Sequence, residues 1–181
     1  MATPEIESLS IPALPDDLLE TPLHYIAADH DRLRAVCAYL KRAAREGIID
    51  GASAQRLAAF FRDDVKRHFE DERISLYPAL LSRSADDAEF VQSIRKVEAF
   101  HAASAMFIDY LATHLAEIPH KDATRLPPEF SELIADYAER EYQSLAFENS
   151  VIMSIAGVRL KKGDVERMRV GMKARRGLPG P

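Results

Sequence analysis

Apolar side chains recur at three- and four-residue spacing through four long stretches of the chain, the period of a helix with one buried face. The first stretch offers Ile26, Leu33, Val36, Cys37 and Leu40; the second Phe61, Val65, Leu76 and Leu80. The third offers Ile94, Val97, Ile108 and Leu111; the fourth Ile134, Tyr137, Leu145, Ile152 and Ile155. No segment of useful length alternates with period two, so strands are not expected. Proline and glycine fall between the stretches and set their limits. Thr21-Pro22 has the form of an N-cap followed by proline at the first helical position, and Gly47 ends a helix that runs to about Arg45. Ser53 is the expected cap of the second helix, which continues to about Pro78 or one turn past it. Asp86 or Asp87 opens the third, which runs to Glu117 before Pro119. Pro127-Pro128 opens the fourth, lasting to about Gly157, and a short fifth helix covers Asp164 to Arg176. The expected fold class is all-α: an up-down-up-down four-helix bundle with a short C-terminal fifth helix. Residues 1–20 form an arm, 21–176 the bundle domain and 177–181 a Gly/Pro tail.

Polar residues interrupt these stripes at helical spacing. His68 and Glu72 stand four apart, and so share one helix face. A related segment lies 76 residues downstream, where Ser144 replaces the histidine and Glu148 keeps the carboxylate. The first and third stretches echo each other too: Ile26, His30, Cys37 and Leu40 correspond to Val97, His101, Ile108 and Leu111. At about 1.5 Å rise per residue, His30, Glu72 and Glu148 fall within roughly a turn of one another in an antiparallel bundle, with His101 slightly deeper. The five groups are expected to meet at one end of the bundle.

An unpaired buried carboxylate costs several kcal/mol or takes up a proton, and two meeting in one core repel each other. A cation removes both difficulties. Imidazole and carboxylate donors together suit iron, manganese or zinc, and two histidines with a carboxylate and open positions are typical of non-haem Fe(II). If two metals bind, Glu72 and Glu148 are placed to bridge them. The competing reading is a metal-free layer in which His and Glu pair directly.

Composition narrows the setting. The 181 residues carry a net charge of −5, which argues against general nucleic-acid binding. No run of 18 or more apolar residues is present, so no membrane span is expected. The N-terminal segment lacks the basic start and apolar run of a secretory signal. The single Cys37 suits a reducing compartment, and a cytoplasmic location is expected.

Several short segments, in order, resemble the hemerythrin-like family with its HHE cation-binding domain: Thr21-Pro22-Leu23-His24-Tyr25-Ile26-Ala27-Ala28-Asp29-His30, His68-Phe69-Glu70-Asp71-Glu72 through Leu76-Tyr77-Pro78, His101-Ala102-Ala103, and Leu145-Ala146-Phe147-Glu148-Asn149. The resemblance implies a bundle carrying non-haem iron, often a di-iron centre that binds dioxygen, nitric oxide or peroxide, or senses redox state. It implies histidine ligands at His30, His68 and His101 and bridging carboxylates at Glu72 and Glu148. Two departures stand out. Ser144 occupies the position expected to hold histidine, and no second histidine accompanies His101, where Val97 and Ala105 stand. One complete iron site and one weak or empty site follow: a mononuclear or incomplete di-iron centre.

The expectation is thus a hemerythrin-like iron-binding protein with O2 or NO as a small diatomic partner; no protein partner is legible. Two alternatives differ in class. One is an interaction module without metal; the other is an enzyme that decomposes peroxide at non-haem iron. His24, His114 and His120 are expected at the surface or in structural roles. Cys37 is expected as a small buried apolar residue. Tyr77, Tyr142 and Gln143 are the candidates to support the ligands, and the basic segment Lys161–Arg176 is expected to complement its helix terminus.

Overall fold

The structure, a computed structural model, describes residues 8–179. A 3₁₀ turn, Asp16–Glu20, leads into α1, Pro22–Glu46, which ends at Gly47 in the left-handed conformation (φ 64°). Helix α2 spans 51–82, α3 Ala88–Ala116, α4 128–159 and α5 Lys162–Arg175. Helix α1 packs most extensively on α4, and α2 on α3. Short connections join these long helices, which makes sequence neighbours antiparallel. The all-α bundle is as the apolar periodicity predicts. Of the expected arm, residues 1–7 lie outside the described residues, as do 180–181 of the tail. The described part of the arm is packed, not free: Leu19 is fully buried, and the Leu9 amide donates to Ser53 Oγ at 2.8 Å.

Local chemistry corrects several expected boundaries. Asp50, not Ser53, caps α2: its carboxylate accepts from the Ser53 amide at 2.8 Å and from the Ser53 hydroxyl at 2.6 Å. Thr21 precedes α1, but its hydroxyl turns back to the Leu18 carbonyl and caps nothing. Asp87 does cap α3, accepting from the Phe90 amide at 3.0 Å. Helix α5 begins two residues earlier than Asp164, whose carboxylate accepts from the Lys161 amide at 2.9 Å.

Two strands were not expected. Ile48–Asp50 (β1) and Ala123–Arg125 (β2) pair antiparallel, with Ile49 opposite Thr124. Three residues are too few for alternation to register; the pairing exists because the bundle brings these two connections together. Gly51 lies beside this clasp. A methyl group there would fall 1.9 Å from the Pro119 carbonyl oxygen and 2.8 Å from that of Asp122. Backbone on both sides cannot retreat cheaply. Gly51→Ala is therefore expected to lower stability by about 3 kcal/mol in urea denaturation. A loss below about 1 kcal/mol would show that the clasp yields.

Helices α2 and α4 are not uniformly α. Residues Phe61–Val65 and Glu72–Leu76 of α2, and Glu148–Met153 of α4, are wound as π-helix. Proline explains one of these: Pro78 cannot donate to the turn before it, which widens. At the corresponding place in α4, the Ser154 hydroxyl donates to the Asn149 carbonyl at 3.2 Å. Helix α4 has no proline there, yet it is π-wound at the matching register.

The core falls into two apolar clusters. One contains Leu33, Val65, Ile108 and Leu145; the other Ile26, Leu76, Val97 and Ile152, together with Leu19, Met168 and Met172. On each of the four long helices, the candidate histidines and glutamates separate residues of one cluster from those of the other. The polar layer is thus internal, not at one end as expected. Helix α5 and the 3₁₀ turn supply the extra apolar cover that moves the end outward.

Candidate metal centre

Four helices each deliver a side chain to the layer: His30 from α1, His68 and Glu72 from α2, His101 from α3, and Glu148 from α4. The four-residue step between His68 and Glu72 keeps both on the inner face. Glu72 and Glu148 are each the first residue of a π-wound turn, a distortion that recurs at functional sites. All five side chains are buried, His101 the least so at 6% exposure. The structure brings together every residue that the stripes and the resemblance single out.

One ligand atom from each of His30, His68, Glu72 and Glu148 lies within 4.8 Å of all the others. His30 Nε2 stands 3.3 Å from Glu72 Oε1 and 3.4 Å from Glu148 Oε2. His30 Nδ1 donates to Asn149 Oδ1 at 3.1 Å, and the Asn149 amide is oriented by donating to the Leu145 carbonyl at 2.9 Å. With Nδ1 committed to that bond, Nε2 is the ring nitrogen turned toward the two carboxylates. His101 joins from outside the tight group of four, with Nε2 3.2 Å from Glu148 Oε1 and Nδ1 3.4 Å from Glu72 Oε2.

The carboxylates are held from behind. Tyr77 donates its hydroxyl to Glu72 Oε2 at 2.8 Å, and Ser144 donates to Glu148 Oε1 at 2.6 Å. Tyr142 and Gln143 face away: Tyr142 is 46% exposed, and Gln143 donates to Glu139. Asp29, which sequence reasoning missed, lies 3.4 Å from His68 Nδ1 and is itself fixed by Arg32 at 2.8 Å. Its neighbour His30 concealed it, because successive helix positions point about 100° apart and Asp29 turns toward α2. Also missed was Glu141, buried on the inner face of α4 at four-residue spacing between Tyr137 and Leu145. That spacing was its signal.

The layer's electrostatics follow from dense burial. Burial works against a charge on His68, but Glu72, Asp29 and Glu148 outweigh it and push its pKa up to about 10. Burial would raise Glu72; His68 foremost, with His30 and His101, instead holds its carboxyl far below the usual range. His101 is also disfavoured by burial as a cation, and the Glu148 hydrogen bond with the charge of Glu72 raises its pKa nonetheless. Tyr77 stays a donor, since burial and then the Glu72 charge raise its pKa. Cys37 is driven up to about 12 by burial and then by Glu141, which makes it an inert thiol.

Histidines outside the layer have other surroundings. His24 and His120 are exposed. His114 donates to the Tyr110 carbonyl at 2.9 Å and stacks on Phe130. The basic C-terminal segment is largely engaged internally: Arg175 and Arg176 meet Asp71, while Arg169 and Lys173 meet Glu20.

The residues fit a cation better than they fit one another. Both nitrogens of His68, His101 Nδ1 and Glu148 Oε2 are buried without a hydrogen-bond partner; their contacts within the layer are too long or misaligned to be bonds. Each such orphan costs about 1–3 kcal/mol; His68 Nδ1 lies 3.4 Å from Asp29, while His68 Nε2, His101 Nδ1 and Glu148 Oε2 each stand 3.4–3.7 Å from a donor atom of the layer itself. A helical bundle with this inward His/Glu set belongs to the class that builds metal sites from facing helices. The hemerythrin HHE cation binding domain matches residues 21–155, and the chain belongs to that family. No curated protein and no solved structure matches it significantly.

Proposed function

We propose that the protein binds non-haem iron in this layer and handles or senses O2, NO, redox state or iron itself, with a second iron position weaker than the first. The observation that carries this reading is the set of buried, unpartnered donor atoms among His68, His101 and Glu148, facing His30 and Glu72. His30, His68, Glu72 and Glu148 would hold the first ion, with His101 at its edge. Iron there would supply open coordination positions and accessible redox change to a small diatomic ligand. The chain's own residues orient the donors: Asn149 sets His30, Asp29 faces His68, Tyr77 and Ser144 steady the two glutamates. Ser144 is already bonded to Glu148 and is a poor donor for iron, which supports the depleted second position.

Access fits a small ligand. A crevice between α3 and α4, lined by Val97, Phe100, Arg140 and Phe147, also includes Ser144, whose hydroxyl is bonded to Glu148. No helix among the described residues is long and apolar enough to cross a membrane, and the lone thiol is buried; both suit the proposed cytoplasmic setting.

Metal analysis and optical spectroscopy on tag-free protein test the reading. Iron near or above one equivalent after anaerobic Fe(II) loading is the expected result, with no intense oxo-bridged diferric band. Less than a tenth of an equivalent would instead establish a metal-free His–Glu layer.

A further inference from the structure

We propose that Arg175 and Arg176, at the end of α5, are positioning residues for Glu72, so that docking of α5 and binding of a cation favour each other. This rests on the reading that the layer binds metal, and concerns how occupancy of that layer reaches the protein surface.

The contacts converge on one turn. Glu72 opens the π-wound stretch Glu72–Leu76. Immediately before it, the buried Asp71 carboxylate accepts from Arg175 Nε and from Arg176 Nη2, each at 2.7 Å. Within it, the Ser75 hydroxyl accepts from Arg175 Nη2 at 2.7 Å. One guanidinium therefore spans from the residue before Glu72 to the third residue after it. The backbone of α5 is close as well, since a methyl group at Gly171 would stand 3.3 Å from Ser75 Oγ. Met168 and Met172 share an apolar cluster with Leu76, which ends this turn, and with Ile152, which lies in the π-wound turn opened by Glu148.

A side chain takes its direction from the backbone that carries it. With α5 docked, the turn is held on both sides of Glu72, whose Oε1 stands 3.3 Å from His30 Nε2. With α5 released, Asp71 and Ser75 lose these anchors, and the Tyr77 hydroxyl alone steadies the carboxylate from behind. Metal affinity is sensitive to such support: loss of the groups that orient a ligand costs about 10–100-fold. Coupling of this kind is reciprocal, so a cation that binds the docked form more tightly must hold α5 in place by the same factor. Helix α5 thereby reports at the surface whether the interior layer is filled.

Hydrogen exchange and Fe(II) calorimetry on the full-length chain, both under nitrogen, read the coupling from its two ends. In wild type, Fe(II) is expected to slow the local opening of α5 amides at least about tenfold. Arg175→Gln combined with Arg176→Gln leaves every donor of the layer in place. It is expected to deprotect α5 ahead of α1–α4 and to weaken Fe(II) binding at least about tenfold. Ser75→Ala, which removes a single contact and spares the fold, should weaken binding about threefold. A helix that only adds stability would lower Tm and leave Fe(II) affinity alone. Wild-type affinity in whichever variant folds, or α5 exchange that is the same with and without Fe(II), would overturn the inference while the metal centre stands. Failure of wild type to bind Fe(II) would remove the metal reading and the coupling together.

Discussion

Metal-free protein given excess Fe(II) under nitrogen is expected to melt about 5–10 °C higher, and the gain should grow with pH. The size follows from linkage: a ligand at a hundred times its Kd stabilises the folded state by about 2.7 kcal/mol. In a domain of this length, each kcal/mol moves Tm by about 2–4 °C. The pH dependence follows from His68. Its folded pKa is raised to about 10, above the ordinary value of about 6.5. In the metal-free protein its charge therefore stabilises the fold fully below about pH 6.5, and that contribution fades as pH rises toward 10. Glu72 has the opposite sign: its lowered pKa stabilises above about pH 4.5 and is lost on acidification. An ion binding at His68 must displace its proton, so apparent affinity should rise about tenfold per pH unit between pH 6 and 9. Calorimetry in buffers of different ionisation enthalpy would count that proton. Glu72→Ala should abolish the thermal gain, judged within the variant, since its metal-free form already lacks the largest charge that offsets the burial of His68. A melting temperature indifferent to Fe(II) across that range would refute the centre.

The other large effect lies one residue away from Glu72 and needs no metal. Asp71 is 1% exposed and receives Arg175 Nε and Arg176 Nη2, each at 2.7 Å. Arg175 also donates to Ser75 at 2.7 Å, and Arg176 lies over the Tyr25 ring at 4.6 Å. This clamp seats α5, whose Met168 and Met172 close the second apolar cluster. Asp71→Ala would leave two guanidinium groups largely out of water without an anion. Removing one partner of a buried pair costs about 3–5 kcal/mol, and the residual exposure of Arg175 places the expectation near 3 kcal/mol. Urea denaturation measures the loss; hydrogen exchange should show α5 amides deprotected ahead of α1–α4. A cost below about 1 kcal/mol with α5 still protected would mean that methionine packing alone holds the helix. Helix α5 lies beyond the residues that match the family, so the clamp ties the matched bundle to a segment outside it.

Periodicity made the bundle legible. Of the apolar residues in the four stripes, all are buried except Ile155, which is half-buried. The same period exposed His30, His68, Glu72, His101 and Glu148, since a charged group in an apolar stripe has nowhere to go but inward. Glu141 satisfied that criterion and was still missed: one glutamate without a partner at four-residue spacing resembles a chance interruption. Asp29 could not be found this way at all. Its partner His68 lies 39 residues later on another helix, and no local pattern records that approach.

Side-chain period alone therefore determined four helices, their inward faces and the chemical types that meet inside, because burial of a helix face is a local property repeated every 3.6 residues. Only the packed chain decided the rest. It placed the polar layer between two cores, recruited Asp29, Asn149 and Tyr77 behind the donors, wound the glutamate turns as π-helix and clasped two loops into a pair of strands. Each of these depends on distances between segments far apart in the chain, which are fixed by packing and not by any run of neighbouring residues.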